Sequence, residues 1–333
     1  MWIDLFDENR AIMFDLGDTG SLGTRKLLRV ERVVVSHTHM DHFVGFDRLL
    51  RLVLGREKEL TVTGPPGFLR SVQGKIEAYT WNLISDYPVK LRAEEIDGVT
   101  VRSVLYTGAG GMLPEPQPDR EWNGTIHAER LFTLHGVLLD HEIPVVATAV
   151  RETEHISVNR DRLLRAGLAP GPWLRDLKQA VRRCEPMDHM IEASTREGGS
   201  RRYRIDELEA KILFRTPGRR IAYVTDTGYT PANVEKVVAL ARDVDLLVCE
   251  CAFLDEDRDL ARERFHLTAR QAGEIARAAN AGKLAPFHFS PRYRGREREL
   301  FQEASSSFGG PVVNLVETGS DLRLRVNPDE ATR

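Results

Sequence analysis

Hydrophobic and polar positions along this chain fall into two recurring patterns, short β-branched runs and longer stretches with apolar residues at helical spacing. Residues 2–6 and 11–16 read as the strands of a short hairpin turned by Asp7-Glu8-Asn9-Arg10, and 21–29 read as helical. Val33-Val34-Val35 suits a buried strand. Val44, Leu49, Leu50, Val53 and Leu54 then recur at the spacing of a helix that packs back on a sheet. A strand over 60–65 stops at Gly64-Pro65, and 66–79 is predicted to be a helix with proline in its first turn. Further strands are predicted over 99–105 and 144–150, whereas 108–123, rich in Gly and Pro, reads as a loop. The pattern resumes with strands over 220–225, 244–249 and 283–287 and helices over 230–242 and 268–281. Strand, turn and helix in repeated order predict an α/β protein.

From 159 to about 204 the pattern is different. Arg160, Arg162, Arg165, Arg175, Lys178, Arg182 and Arg183 gather around Ala169-Pro170-Gly171-Pro172, with short helical pieces on either side and few β-branched runs. This stretch is expected to be an arm inserted at about 157–204 in one domain spanning 1–333, an appendage rather than sheet.

Composition sharpens the meaning of that arm. The chain has 333 residues, 41% of them hydrophobic, which is ordinary for a globular protein that buries a real core. With 47 Lys+Arg against 50 Asp+Glu the net charge is -3, so there is no global attraction to nucleic acid or an anionic membrane. A polyanion would have to be held by a local patch, and the arginines of the arm form one; the plainer alternative is a solvated helical face. Cys184, Cys249 and Cys251 form no Cys-x-x-Cys pair and no disulfide framework, which favours a reducing cytoplasm. No apolar run reaches spanning length and the N-terminus has no basic region leading into an apolar one, so neither a membrane anchor nor a signal peptide is expected.

The chemistry is concentrated in Ser36-His37-Thr38-His39-Met40-Asp41-His42, directly after the Val33-Val34-Val35 run. Alternation puts His37 and His39 on one side of an extended segment, aimed at one ion, while Asp41 and His42 point elsewhere. One ion cannot easily collect all four groups from so short a loop, which suggests two neighbouring metals completed from distant parts of the chain. The candidates are His141, Asp226 and His288. Asp226 equally suits the N-cap of the helix near Thr230, and His141 and His288 equally suit core histidines satisfied by backbone. His266 fits either a proton donor or a helix-start residue before Thr268. Gly17-Asp18-Thr19-Gly20 fits either a phosphate cradle or an ordinary strand-to-helix turn.

The His-x-His-x-Asp-His arrangement resembles the metallo-β-lactamase superfamily, and the resemblance implies an αβ/βα sandwich with its metal site at one edge. Later segments are similar to the ribonuclease Z family of tRNA 3′-processing endonucleases. They include Phe14-Asp15-Leu16-Gly17, Thr63-Gly64-Pro65-Pro66-Gly67, the His141 segment, Gly171-Pro172, Thr225-Asp226-Thr227, Glu250-Cys251-Ala252-Phe253, His266-Leu267-Thr268 and His288-Phe289-Ser290-Pro291-Arg292-Tyr293. That resemblance implies one zinc on His37, His39 and His141, a second on Asp41, His42 and His288, and Asp226 as the bridge. It implies Glu250 and His266 assisting the leaving group, with Asp41 also counted among the catalytic residues. It further implies precursor tRNA as substrate, gripped by Arg160, Arg162, Arg165, Gly171, Pro172, Arg175 and Lys178 with Arg292, and a homodimer. The same nitrogen and oxygen ligands accept Mn2+, Fe2+ or Co2+. The run after His141 is Val145-Val146-Ala147 where the family has aromatic residues. A hydrolase of a small phosphodiester, lactone or thioester on the same metal site is the alternative expectation, and an RNA-binding or oligomer-forming role without catalysis is a third.

Overall fold

The computed structural model describes residues 1–5, 9–315 and 322–323. Phe6, Asp7 and Glu8 of the predicted hairpin lie outside the described residues. On either side of them, β1 (Trp2–Leu5) and β2 (Arg10–Phe14) pair antiparallel. The chain continues through α1 (Thr24–Leu27), β3 (Val30–Val34), α2 (Met40–Phe43), α3 (Phe46–Val53), β4 (Glu59–Gly64), α4 (Phe68–Glu77), β5 (Lys90–Ile96), β6 (Thr100–Thr107) and β7 (Glu115–Glu121). These strands form one sheet in sequence order, parallel from β2 to β5 and antiparallel beyond, with the short strand Leu322–Arg323 outside β1.

A second sheet starts with β8 (Thr125–Ala128), β9 (Phe132–Asp140) and β10 (Pro144–Glu152). There the chain leaves it for an insertion made of β11 (Glu154–Val158), α5 (Arg160–Arg165), α6 (Trp173–Arg182), β12 (Met190–Ser194), β13 (Ser200–Arg204), α7 (Ile205–Ile212) and β14 (Leu213–Pro217). It returns through β15 (Arg220–Val224), α8 (Pro231–Leu240), β16 (Leu246–Glu250), α9 (Arg258–Glu263), α10 (Ala269–Ala278), β17 (Leu284–Phe287) and α11 (Glu297–Phe308). The second sheet runs β17-β16-β15-β10-β9-β8.

Side-chain alternation assigns each layer. Ile12, Phe14 and Val34 pack with Val146, Ile221, Tyr223 and Val248 between the two sheets. Their neighbours Ala11, Met13, Val33 and Val35 face the other way, onto Phe46, Leu49, Val53, Phe68 and Val72 of α3 and α4. Val224, Leu247 and Cys249 face Val237, Ile275 and Leu300 of α8, α10 and α11. Helix, sheet, sheet, helix is the αβ/βα sandwich, and strands buried on both faces explain runs such as Val33-Val34-Val35 that do not alternate with polar residues. Those three valines are 0–1% exposed. Burial is worth roughly 1.5–3 kcal/mol for each, so the point where the chain leaves β3 for the histidine loop is held firmly.

Several local expectations are corrected. The helix predicted over 21–29 covers only Thr24–Leu27, and that predicted over 44–54 is α3, which starts one residue after Gly45 and is preceded by the separate short helix α2. Gly45 donates its N–H to the Leu16 carbonyl at 2.6 Å, and a Cβ there would sit 2.4 Å from the Gly17 oxygen. Pro65 and Pro66 precede α4 instead of entering its first turn, because Gly67, at φ +91°, is the cap residue. Residues 108–123 are not all loop. They contain β7, whose Pro116 and Pro118 are tolerated because it is an edge strand.

The insertion also differs from a purely helical appendage. It stands outside both main sheets, but β11 pairs with β14 and β12 with β13, and it extends on both sides of 157–204. Leu163, Trp173, Leu177, Ile205 and Leu208 give it a core of its own. Arg130, between β8 and β9, donates to the Val181 carbonyl at 3.0 Å and ties α6 to the second sheet.

Candidate metal centre

Strand ends at one edge of the sandwich carry the candidate ligands. Ser36 and His37 follow β3, His141 follows β9, Asp226 follows β15, Glu250 ends β16 and His288 follows β17. Asp226 and His288 have φ of 43° and 58°, and Asp15, which follows β2, has φ of 62°. Left-handed backbone at non-glycine residues costs of order 1–3 kcal/mol each, so it persists only where the surroundings enforce it. Here it turns side chains off the strand ends toward a common point.

The ligand atoms of His37, His39, His141 and Asp226 lie within 4.8 Å of one another, as do those of Asp41, His42 and His288. A further group of the same size joins Asp226 and His288 to Glu250 and His266. Asp226 is common to the first and third groups. Its Oδ2 lies 3.4 Å from His37 Nε2, 3.2 Å from His42 Nε2 and 4.0 Å from His141 Nε2, and its Oδ1 lies 3.2 Å from His288 Nδ1. Asp41 Oδ2 lies 3.4 Å from His42 Nε2 and 3.7 Å from His288 Nε2. All seven ligand-type residues predicted from the sequence are therefore brought close together, Asp226 grouping with His37, His39 and His141, and Asp41 with His42 and His288.

Hydrogen bonds on the outer side aim the imidazoles inward. His42 Nδ1 is 2.9 Å from Asp15 Oδ2, and Asp15 also accepts from the Ser36 N–H at 2.6 Å and the Tyr223 hydroxyl at 2.8 Å. His141 Nδ1 donates to the Phe265 carbonyl at 2.6 Å, and His37 Nδ1 lies 3.1 Å from Ser36 Oγ. Asn233, 2% exposed, donates to the carbonyls of Asp140 and Gly228 and to Thr227 Oγ1 while accepting from the Asp140 N–H. It thereby joins the loop of His141 to the loop of Asp226. Sequence reasoning missed Asp15 as a support for His42, although Phe14-Asp15-Leu16-Gly17 marks it, and missed Tyr223 and Asn233, which carry no motif.

The inward atoms test whether a metal fits. His37 Nε2, His42 Nε2 and His288 Nδ1 are buried without a hydrogen-bond partner. Leaving such an atom unsatisfied costs roughly 1–3 kcal/mol. Burial, followed by the charge of His42, pushes His37 down to about 4, which keeps its imidazole neutral and its lone pair available. Burial also works against charge on His42, but its bond to Asp15 and its contact with Asp226 outweigh that and carry it up to about 10. Burial works against charge on Asp226 too, and contact with His42 and the charges of His288 and His42 hold its carboxyl well below the usual range. Unpaired imidazole nitrogens facing a buried carboxylate that draws positive charge are a donor set suited to a divalent cation.

The alternative readings of the individual residues are resolved by their neighbours. Thr230 caps α8 through the Asn233 N–H, so Asp226 is not the cap. Thr268 and Gln271 form the capping box of α10, so His266 is not part of that helix start. His266 Nδ1 instead lies 2.8 Å from Glu250 Oε2, while Glu250 Oε1 accepts from the Thr227 N–H at 2.6 Å. Glu250 is fully buried. Burial lowers His266, but the bond to Glu250 and its charge raise it overall, favouring a protonated ring whose other nitrogen is free to donate.

The basic residues expected to grip a substrate have other placements. Arg160, Arg162, Arg165 and Arg175 are exposed on α5 and α6, Pro172 caps α6 with Gly171 before it, and Lys178 is half-buried. None belongs to the ligand groups. Arg292 pairs with Asp257 at 2.9 Å and lies 5.9 Å over the ring of Phe253, which in turn is 6.1 Å from His266.

A family model described as a beta-lactamase superfamily domain matches residues 183–289. A ribonuclease Z from Deinococcus radiodurans is 29% identical over 90% of this chain and 87% of its own length. One from Thermobifida fusca is 30% identical over 92% of this chain and 83% of its own length. The chain belongs to the ribonuclease Z family. Among solved structures, the short form of human tRNase Z is 17% identical with a TM-score of 0.48, covering 86% of this chain and 84% of its own. A metallo-beta-lactamase fold protein from Bacillus subtilis is 16% identical with a TM-score of 0.49, covering 92% and 84%. Within this ribonuclease Z family chain, the segment matched by the superfamily model holds Asp226, Glu250, His266 and His288. The histidine loop lies N-terminal to it.

Proposed function

We propose that this ribonuclease Z family member is a dizinc endonuclease that cuts the 3′ trailer from precursor tRNA and leaves a 3′-hydroxyl. The observation that carries the reading is the convergence of His37, His39, Asp41, His42, His141, Asp226 and His288 beside the Glu250–His266 pair. His37, His39 and His141 would hold one ion, Asp41, His42 and His288 the other, and Asp226 both. Zinc suits this nitrogen and oxygen set; Mn2+, Fe2+ and Co2+ accept the same ligands. Bound there, the ions supply Lewis acidity toward a phosphodiester and an activated water.

The protein's own groups do the rest. Glu250 fixes the His266 ring through Nδ1 and favours its charged form, so that the other ring nitrogen can deliver a proton to the departing 3′-oxygen. Exposed arginines of α5 and α6 offer a phosphate grip that the net charge of -3 does not. Asp15, Ser36 and Phe265 hold His42, His37 and His141 in their tautomers. A cytoplasmic homodimer is the form in which this activity is proposed. Free cysteines Cys184, Cys249 and Cys251 suit a reducing compartment, and the homodimer rests on the family resemblance alone. The test presents metal-replete protein with a precursor tRNA and with bis(p-nitrophenyl) phosphate in parallel. Cleavage of both is expected, and hydrolysis of the ester alone would leave a small-molecule hydrolase.

A further inference from the structure

Beside the metal loop lies a groove of about 390 Å³ that runs from Thr38, the residue between His37 and His39, along α4 to Tyr79. We propose that this groove seats the nucleoside next to the scissile phosphate; the inference rests on the ribonuclease Z reading and deepens it. The volume is in the range of about 300–1,000 Å³ usual for a small-ligand site. Its polar groups are the hydroxyls of Thr38 and Ser71, 3.4 Å apart, the Tyr79 hydroxyl, which bonds to Asp47, and the Lys75–Asp47 pair at 2.8 Å. That pair leaves the groove without net charge while presenting both a donor and an acceptor. A bare phosphate gains little from such a lining and is repelled by Asp47. A nucleoside, with a base edge and ribose hydroxyls, matches it.

The apolar surfaces suit a base. Tyr79 is 46% exposed, an unusual placement for a large ring, and its edge-on contact with Trp81 at 6.0 Å holds it in place. Trp81 is anchored by its indole N–H to the Ile76 carbonyl at 2.9 Å. Phe43 also lines the groove, with Lys75 Nζ 5.4 Å from its centroid. Flat, exposed and rigidly backed aromatic surface is what stacking on an unpaired base requires. Gly74 also lines the groove, and a Cβ there would meet no atom within 4 Å, so a large side chain at 74 has open space to enter it.

The experiment uses the full chain with two metals bound and precursor tRNA carrying 4-thiouridine on one or the other side of the cut. Irradiation is expected to link one of these positions to the peptide spanning 68–81. Gly74→Trp and Tyr79→Ala should each raise KM for precursor tRNA about tenfold or more, a stacking-sized loss, with metal content still at two equivalents. Tyr79→Trp, which keeps a stacking face, should restore KM to within about twofold. Crosslinks that fall only elsewhere, or unchanged KM in both variants of a chain that does cut precursor tRNA, overturn the groove assignment alone. A chain that neither cuts nor binds precursor tRNA overturns it together with the proposed function.

Discussion

His141 donates through Nδ1 to the carbonyl of Phe265, the residue that immediately precedes His266. Phe265 holds φ at 53°, and its ring meets Gly228 in the Asp226 loop. One peptide unit thus fixes a candidate metal ligand on one side and the candidate proton donor on the other. His141 and His266 are set in register by backbone, not by a flexible side chain.

Separation of those two roles is measurable at His266. His266→Ala should leave two metal equivalents in place and lower turnover of precursor tRNA by about 10²–10⁴-fold, the usual worth of a positioned acid. An ester with a good leaving group needs little protonation, so its hydrolysis should fall less. Equal losses on both substrates would make His266 a positioning residue.

Among the described residues, Asp226 is the carboxylate that faces both ligand sets. Elemental analysis of the dialysed wild-type protein should give two ions per chain, and Asp226→Ala should lower occupancy of both positions. Loss of a single equivalent would make Asp226 a terminal ligand.

Asp15 reaches the ligand cluster from its outer side, through the bond to His42 Nδ1. Asp15→Asn should weaken metal binding about 10–100-fold in a chelator competition, as removal of an outer partner of a ligating histidine does. Tyr223→Phe, which removes the hydroxyl donated to the same carboxylate, should shift it in the same direction by less.

The insertion invites charge removal, not deletion, because Trp173 and Leu177 pack with Ile205 and Leu208 in its core. Changing exposed Arg160, Arg162, Arg165 and Arg175 to Gln should flatten the salt dependence of precursor tRNA binding by about one unit of slope for each phosphate that is no longer neutralised. An unchanged slope would identify these arginines as a solvated face.

The candidate metal centre was legible in the sequence because its ligand-type residues are polar residues at the ends of apolar runs, where periodicity marks both the strand and its edge. His37, Asp226, Glu250 and His288 all follow that rule. Supports such as Asn233 and Tyr223 were not. Asn233 acts on Asp140, 93 positions away, and Tyr223 on Asp15, 208 positions away, and no local pattern encodes either pairing. The strand Glu115–Glu121 was hidden by its two prolines, and β9 by polar Thr133 and His135 and by Gly136 inside the strand. Pairing on the sheet, not propensity, made both.

The most direct test of the account is the end group left on a precursor tRNA. Metal-replete protein is predicted to release the trailer and leave a 3′-hydroxyl on the tRNA, with cleavage lost on chelation and restored by zinc. A product ending in 3′-phosphate, or cleavage indifferent to the chelator, would contradict it.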